Sequence, residues 1–353
     1  MSNFVDIFKR RGVISFIGMR DTALSLLPTD RTKRNKLYDD LERGKGILDD
    51  DDHLNMYLHS FGKMHKAKLD VAFNSLTIAA IFAEEVEIYD WGCGQGTATI
   101  CLLDFLAEKH ITPNIKEIYL IEPSEAAVKR ASEVIQCYDS SYKVAPIIHD
   151  FDSLTIEDFQ INNTRKIHLF SNILDVEAFD LAQFIHLFQQ LFGSDNYFFC
   201  VGPYYSNNKR VDEFVAATSP DIVYATINKE RGTWIGDWTI SMRIFFKHFD
   251  RIETVENIRK RIEESHKKEQ FFAGYVLDAV SEEYGKSDTS ALAEGLYHAL
   301  SMFDVKSNIP LDYNSDSDPK LAVLANIISR GLPTKAPVLL EKKFSDIFHI
   351  SEG

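Results

Sequence analysis

The sequence predicts an α/β domain built on a seven-stranded, mostly parallel sheet, with helical extensions at both ends. Three observations predict it. Short apolar runs alternate with segments of helical spacing, and the first two runs close on an acid. The first of them passes straight into three alternate glycines, in Val86-Glu87-Ile88-Tyr89-Asp90-Trp91-Gly92-Cys93-Gly94-Gln95-Gly96. The last two runs, 221–227 and 238–246, leave no room for a crossover helix and so must pair antiparallel.

Taken in order, the first strand ends at Asp90 and feeds the glycine turn. Glycine lacks a Cβ, so such a turn can take positive φ and present bare backbone to a ligand. The helix over 97–109 follows, with Ile100, Leu103 and Leu106 at spacing three and Cys101, Leu102 and Phe105 widening the stripe. A strand, a glycine turn and a helix N-terminus form a nucleotide-type pocket. A dinucleotide fingerprint needs its third glycine at position 97, where this chain has Thr97. Asp90 also suits a ligand with a positive amino group and would repel a pyrophosphate. Both points disfavour a nicotinamide-dependent oxidoreductase.

The second strand, 116–122, ends in Glu122, followed by Pro123 and by Ser124 as the N-cap of a helix over 125–137. A carboxylate at this strand tip is where nucleotide-binding sheets hold a ribose diol. The third strand, 142–149, ends at Asp150-Phe151-Asp152. The fourth, 166–170, ends at Ser171-Asn172-Ile173-Leu174-Asp175, and the fifth is 196–201. A helix over 208–218 precedes the closing antiparallel pair.

The D-x-G-x-G-x-G pattern of Asp90, Gly92, Gly94 and Gly96, followed by Glu122, resembles the first motifs of the class I S-adenosylmethionine-dependent methyltransferases. The resemblance covers roughly residues 80–250. It implies a Rossmann-like sheet whose last strand is antiparallel, flanked by extensions at 1–79 and 251–353. It also implies S-adenosylmethionine as cofactor, held around Asp90, Trp91, Gly92, Cys93, Gly94 and Gly96. Glu122 and Pro123 would lie at the ribose, Asp150 at the adenine amine with Phe151 flanking the ring, and Ser171 at the end of the fourth strand. Trp91 is expected beneath the donor, with no chemical role.

The implied activity is methyl transfer to an acceptor that the sequence does not identify. The alternative is a non-catalytic S-adenosylmethionine-binding scaffold that works through its helical extensions. Methyl transfer from a sulfonium is an in-line displacement, so positioning supplies much of the effect. The amino-methylating DNA enzymes carry N/D/S-P-P-Y/F after the fourth strand. Ser171-Asn172-Ile173-Leu174 has neither proline, which argues against that chemistry in its familiar form. Asn172 and Asp175 are the candidates for acceptor contact at this edge, and Asp175 serves equally well as a helix cap. Trp234, in a hairpin with two tryptophans and two glycines, suits either a stacking loop or a self-packed turn. Tyr204 and Tyr205 are expected to line the same pocket.

Composition sets the broad class. The chain has 353 residues, 45% hydrophobic and 26% charged, as ordinary globular proteins do. No apolar stretch approaches the ~18 residues of a membrane helix, and the first residues do not read as a secretory signal. Cys93, Cys101, Cys137 and Cys200 show no metal spacing and read as reduced interior thiols, so the expected address is the cytoplasm. With 53 acids against 39 bases the net charge is −14, which argues against an extended nucleic-acid surface. A small-molecule or protein acceptor is favoured, and a local basic patch such as 31–36 or 259–261 leaves structured RNA open.

The N-terminal extension carries a helix over 54–73, preceded by Asp49-Asp50-Asp51-Asp52-His53, which reads as a solvated helix start with no metal. In the family this helix borders the donor's methionine end, where a cation in His65-Lys66-Ala67-Lys68 could meet the carboxylate. Solvated surface is the favoured reading of those lysines. C-terminal helices are expected at 253–270, 271–284, 290–303 and 320–330, forming a substrate-selecting or assembly module. A protein partner could dock on these extensions.

Overall fold

The computed structural model describes residues 3–41, 46, 48–76, 78–175, 179–204, 210–229 and 238–265. The chain divides into a unit Met1–Lys260 and a unit Arg261–Gly353. The helices expected beyond residue 270 and the hairpin carrying Trp234 lie outside the described residues, as does Tyr205.

Seven strands form one sheet: β1 Val86–Trp91, β2 Ile115–Ile121, β3 Val144–Ile147, β4 Arg165–Ser171, β5 Asp195–Gly202, β6 Ile222–Lys229 and β7 Ile240–His248. Their order is β3-β2-β1-β4-β5-β7-β6. β1 pairs parallel with β2 and β4, β2 with β3, and β4 with β5. β7 inserts antiparallel between β5 and β6. This is the Rossmann-like, mostly parallel sheet with antiparallel closing strands that the sequence predicts, with strand limits shifted by at most a few residues.

Strand alternation gives the sheet two different faces. On one, Val86 and Ile88 of β1, Ile118 and Leu120 of β2, and Ile167 and Leu169 of β4 join a single, mostly aliphatic core. Helices α1 (Asn3–Arg11), α2 (Phe16–Leu26), α4 (Asp51–Asn74), α5 (Thr97–Glu108) and α6 (Glu125–Tyr138) cover it. Phe4, Phe8, Phe16 and Met19 belong to that same core, so the N-terminal helices share it with the sheet. Helix α3 (Arg31–Asp40) buries no residue of its own.

On the other face, Tyr89, Trp91, Tyr119, His168, Phe170 and Phe198 form an aromatic layer. Tyr89 stacks on Tyr119 with centroids 4.5 Å apart, and His168 on Phe198 at 4.7 Å. Helix α7 (Leu181–Leu191) closes this layer through Phe184 and Phe188, and α8 (Arg210–Thr218) through Phe214. No element is expected over 181–191 from the sequence. Its apolar residues nevertheless recur as Leu181, Phe184, Ile185 and Phe188, and Asp180 caps it by accepting from Ala182 N at 2.9 Å and Gln183 N at 3.1 Å. Asp180, and not Asp175, is therefore the cap of the helix that follows β4.

Candidate functional site

The glycine turn, the tips of β2, β3 and β4, and the first half of α4 enclose a cavity of about 280 Å³. Of the residues expected to bind a ligand, Gly92, Gly94, Glu122, Pro123, Asp150, Phe151, Ser171 and Asn172 line it. Asp90, Trp91, Cys93, Gly96, Asp175 and Tyr204 are not in its wall. The N-terminal extension, whose 54–73 helix is expected to border the site, supplies a wall through Leu48, Leu54 and Tyr57, residues that the sequence does not single out.

The turn has the backbone the sequence demands. Gly92 sits at φ +61°, and a Cβ there would meet Ile173 Cγ1 at 2.5 Å, so only glycine fits. Gly94, at φ +51°, has nothing within 4 Å of an added Cβ and presents open backbone to the cavity. Gly96 is the N-cap of α5.

Glu122 is preset by that turn. Its Oε2 accepts from Gly94 N at 3.1 Å and its Oε1 from Ser124 N at 3.2 Å. Each oxygen keeps a lone pair for a further donor. Burial pushes the carboxyl above the usual range, and the two backbone bonds oppose that shift.

Asp90 lies beneath the turn, on the aliphatic side of β1, and is 1% exposed. Its Oδ2 accepts from Thr99 N at 3.1 Å and from Thr99 Oγ1 at 2.7 Å, in the first turn of α5. Burial raises its pKa to about 6; the Thr99 bonds pull it down and the charge of Glu122 pushes it up. Glu122 thus faces the glycine-turn end of the cavity and Asp90 lies buried behind it, an arrangement that favours a cation and disfavours a pyrophosphate. Cys93 is buried, with its thiol held protonated by burial and by those same acids.

Trp91 takes no part in the cavity. Its ring is sealed in the aromatic layer, 5.8 Å from Phe170 in a stack and 4.8 Å from Phe188. Its indole N–H donates to His168 Nδ1 at 3.2 Å, which leaves His168 Nε2–H to donate to Asn196 Oδ1 at 3.0 Å. Asp150 caps the short turn over Phe151–Ser153 through a 2.8 Å bond from Ser153 N to Oδ1, while its residue remains exposed on the cavity rim.

Near the tip of β4 the structure differs from the sequence expectation at the lysines. Lys66 pairs with Asp70 at 2.7 Å on a half-exposed surface. Lys68, expected at the surface, is 0% exposed, and its Nζ donates to Asn172 Oδ1 at 3.2 Å. Burial lowers its pKa to about 8, and the charge of Asp175 opposes the shift. Asn172 holds φ +58°, anchored by its N–H on Val201 O at 2.6 Å. Tyr57 packs edge-on to His65 at 5.7 Å, and burial with the charges of Glu122 and Asp175 keeps its phenol protonated. Leu54, Tyr57, Phe61, His65 and Lys68 recur at helical spacing along α4, a stripe visible in the sequence.

The chain matches no protein-family model, and no curated protein matches it. Solved structures align with about half of it. The small RNA methyltransferase HEN1 aligns at 13% identity and a TM-score of 0.37, over 51% of this chain and 25% of that one. An rRNA methylase from Streptococcus thermophilus aligns at 14% identity and 0.33, over 50% and 96%. The precorrin-6y C5,15-methyltransferase from Geobacter metallireducens aligns at 12% and 0.34, over 50% and 88%. The chain spans a quarter of the length of HEN1. What the cavity can do is therefore read from this chain's own residues.

Proposed function

We propose that the cavity binds S-adenosylmethionine and that the chain transfers its methyl group to an acceptor. The observation that carries this is a preset Glu122 beside an open Gly94 backbone in the cavity wall, with the buried Lys68 behind Asn172, which it holds at 3.2 Å. The chain's residues fit each part of the donor. Glu122 offers two oriented oxygens to a ribose diol. Leu48, Leu54, Ala127, Phe151 and Phe179 line a largely apolar slot that suits a flat base. Asp150 on the rim suits an exocyclic amine. Asp90 and Glu122 favour the positive end of the ligand. Lys68 has three N–H donors and one bond to Asn172, so a ligand carboxylate would complete its coordination.

When bound, the donor supplies an activated methyl on a sulfonium. The protein's part is to orient it, exclude water and hold the acceptor in line. Asn172, on a fixed left-handed backbone at the tip of β4, is the residue we assign to acceptor contact. Asp175, Tyr204 and Trp234 remain acceptor-side proposals. A small-molecule or protein acceptor agrees best with the net charge of −14.

Calorimetric titration with S-adenosylmethionine, S-adenosylhomocysteine and NADH tests the reading. We expect the two adenosyl ligands to bind and NADH not to. Glu122→Ala should cost roughly 1.5–3 kcal/mol of that affinity, the range of a charge-assisted hydrogen bond. NADH binding alone, or unchanged adenosyl affinity in Glu122→Ala, would overturn it. The Lys68 assignment has its own signature. Raising pH through about 8 removes the ammonium, so S-adenosylhomocysteine affinity should fall in the wild type and stay flat in Lys68→Met. A wild-type profile as flat as the variant's would remove Lys68 from the site. Binding without transfer to any acceptor would favour the scaffold reading.

A further inference from the structure

The wall that α4 gives the cavity is tied to the glycine turn through one buried guanidinium. Arg130, on α6, is 2% exposed. Its Nη1 donates to Asn55 Oδ1 at 2.9 Å and to Gln95 Oε1 at 3.0 Å, and its Nη2 pairs with Asp51. The guanidinium also lies over the Phe4 ring of α1, 4.2 Å from its centroid. Gln95, inside the glycine turn, donates from Nε2 to Leu54 O at 2.9 Å. Nearby, the Ser124 hydroxyl donates to Leu48 O. Leu48, Leu54, Gln95 and Ser124 all line the cavity.

These bonds form a closed circuit: Arg130 to Asn55 on α4, one residue back to Leu54, across to Gln95, and back to Arg130. Burying a guanidinium is costly, and an apolar side chain of similar volume would pack on Phe4 without that penalty. Such a side chain could not fix Asn55 and Gln95 at once. A forked, planar donor can, because its N–H directions are rigid.

Resting on the donor reading above, we propose that Arg130 is a positioning residue of the site. It holds the glycine turn and the first turn of α4 in one register, so donor affinity depends on the N-terminal helices. It touches no ligand itself and acts through Gln95 and Asn55.

The test compares the full chain with Arg130→Met, Arg130→Lys and Gln95→Met. The readouts are S-adenosylhomocysteine affinity, amide hydrogen exchange and the ligand-free unfolding midpoint. Arg130→Met should weaken binding tenfold or more, and exchange should quicken together in residues 92–96 and 51–55. Arg130→Lys should recover part of the affinity, since an ammonium still reaches one acceptor. Gln95→Met keeps the ion pair to Asp51, so it should fold as the wild type does and still loosen the glycine turn. It therefore carries the test if Arg130→Met does not fold. Wild-type affinity and wild-type exchange in both segments of a folded variant would overturn the proposal. If the wild type itself binds no adenosyl ligand, the donor reading falls, and the exchange data alone decide whether Arg130 couples the two segments.

Discussion

On one face of the sheet, Val86, Ile88, Ile118, Leu120, Ile167 and Leu169 present aliphatic side chains to helices that meet them with aliphatic and phenylalanine side chains. On the other, Trp91, His168, Phe170 and Phe198 meet α7 and α8 through rings, with Tyr89 and Tyr119 stacked beside them. The aromatic face also carries a buried polar chain. It runs from the Trp91 indole to His168 and on to Asn196, whose Nδ2 donates to Phe192 O at 3.0 Å. Aliphatic packing tolerates small rearrangements, whereas a satisfied polar chain admits one arrangement. The glycine turn begins at the seam between the two faces. Asp90 points to the aliphatic side, where Thr99 holds it, and Trp91 to the aromatic side, where His168 holds it. Consecutive residues are thus fixed from opposite directions just before the backbone enters the cavity.

The largest effect should come from acidifying the aromatic face. Burial lowers the His168 pKa to about 3, with the Asn196 bond opposing. Between about pH 6.5 and 3 the unfolded chain binds a proton that the folded His168 refuses, so stability must fall as pH drops. The total from this group is on the order of 5 kcal/mol. His65, held near 3 by burial, adds loss in the same direction. The wild-type unfolding midpoint should therefore drop steeply from pH 7 to 4, and His168→Gln should flatten part of that slope. A midpoint indifferent to pH over this range would break the contrast between the faces.

Asp90 is a carboxylate set into the aliphatic side, and its effect has the opposite sign. Its folded pKa, about 6, lies above the unfolded value, so the folded state loses stability as pH rises from about 4 through 6. Asp90→Asn keeps an acceptor for Thr99 and removes the charge. At pH 7 it should stabilise the ligand-free chain by roughly 1–3 kcal/mol while weakening S-adenosylmethionine binding. Destabilisation together with unchanged binding would show that Asp90 serves packing alone.

The smallest effect belongs to Ile88→Val, which removes one methylene from the aliphatic face and should cost about 1 kcal/mol. A loss above about 3 kcal/mol would mean that this face is as intolerant as its neighbour.

Much of this architecture is legible in the sequence because the signals are local. Five parallel strands, the glycine turn, Glu122 and the Ser124 cap follow from alternation and turn chemistry. Helix α7 was legible too, since Leu181, Phe184, Ile185 and Phe188 mark its buried stripe. Lys68 falls on the α4 stripe, but its role there was not legible, because His65-Lys66-Ala67-Lys68 has the composition of a solvated turn. Its burial depends on Asn172, 104 residues away, arriving at the same point. The Arg130 circuit joins residues from 51 to 130 and has no local signature at all. Asp90 reads as a ligand contact by motif, yet the alternation of β1 turns its side chain toward α5.

The most direct test of the donor site is a crystal structure of the full chain with S-adenosylhomocysteine. The account predicts both ribose hydroxyls within about 3.2 Å of the Glu122 carboxylate, as ordinary hydrogen bonds require, and the ligand carboxylate on Lys68. A ligand bound outside this cavity, or one whose ribose turns away from Glu122, would contradict it.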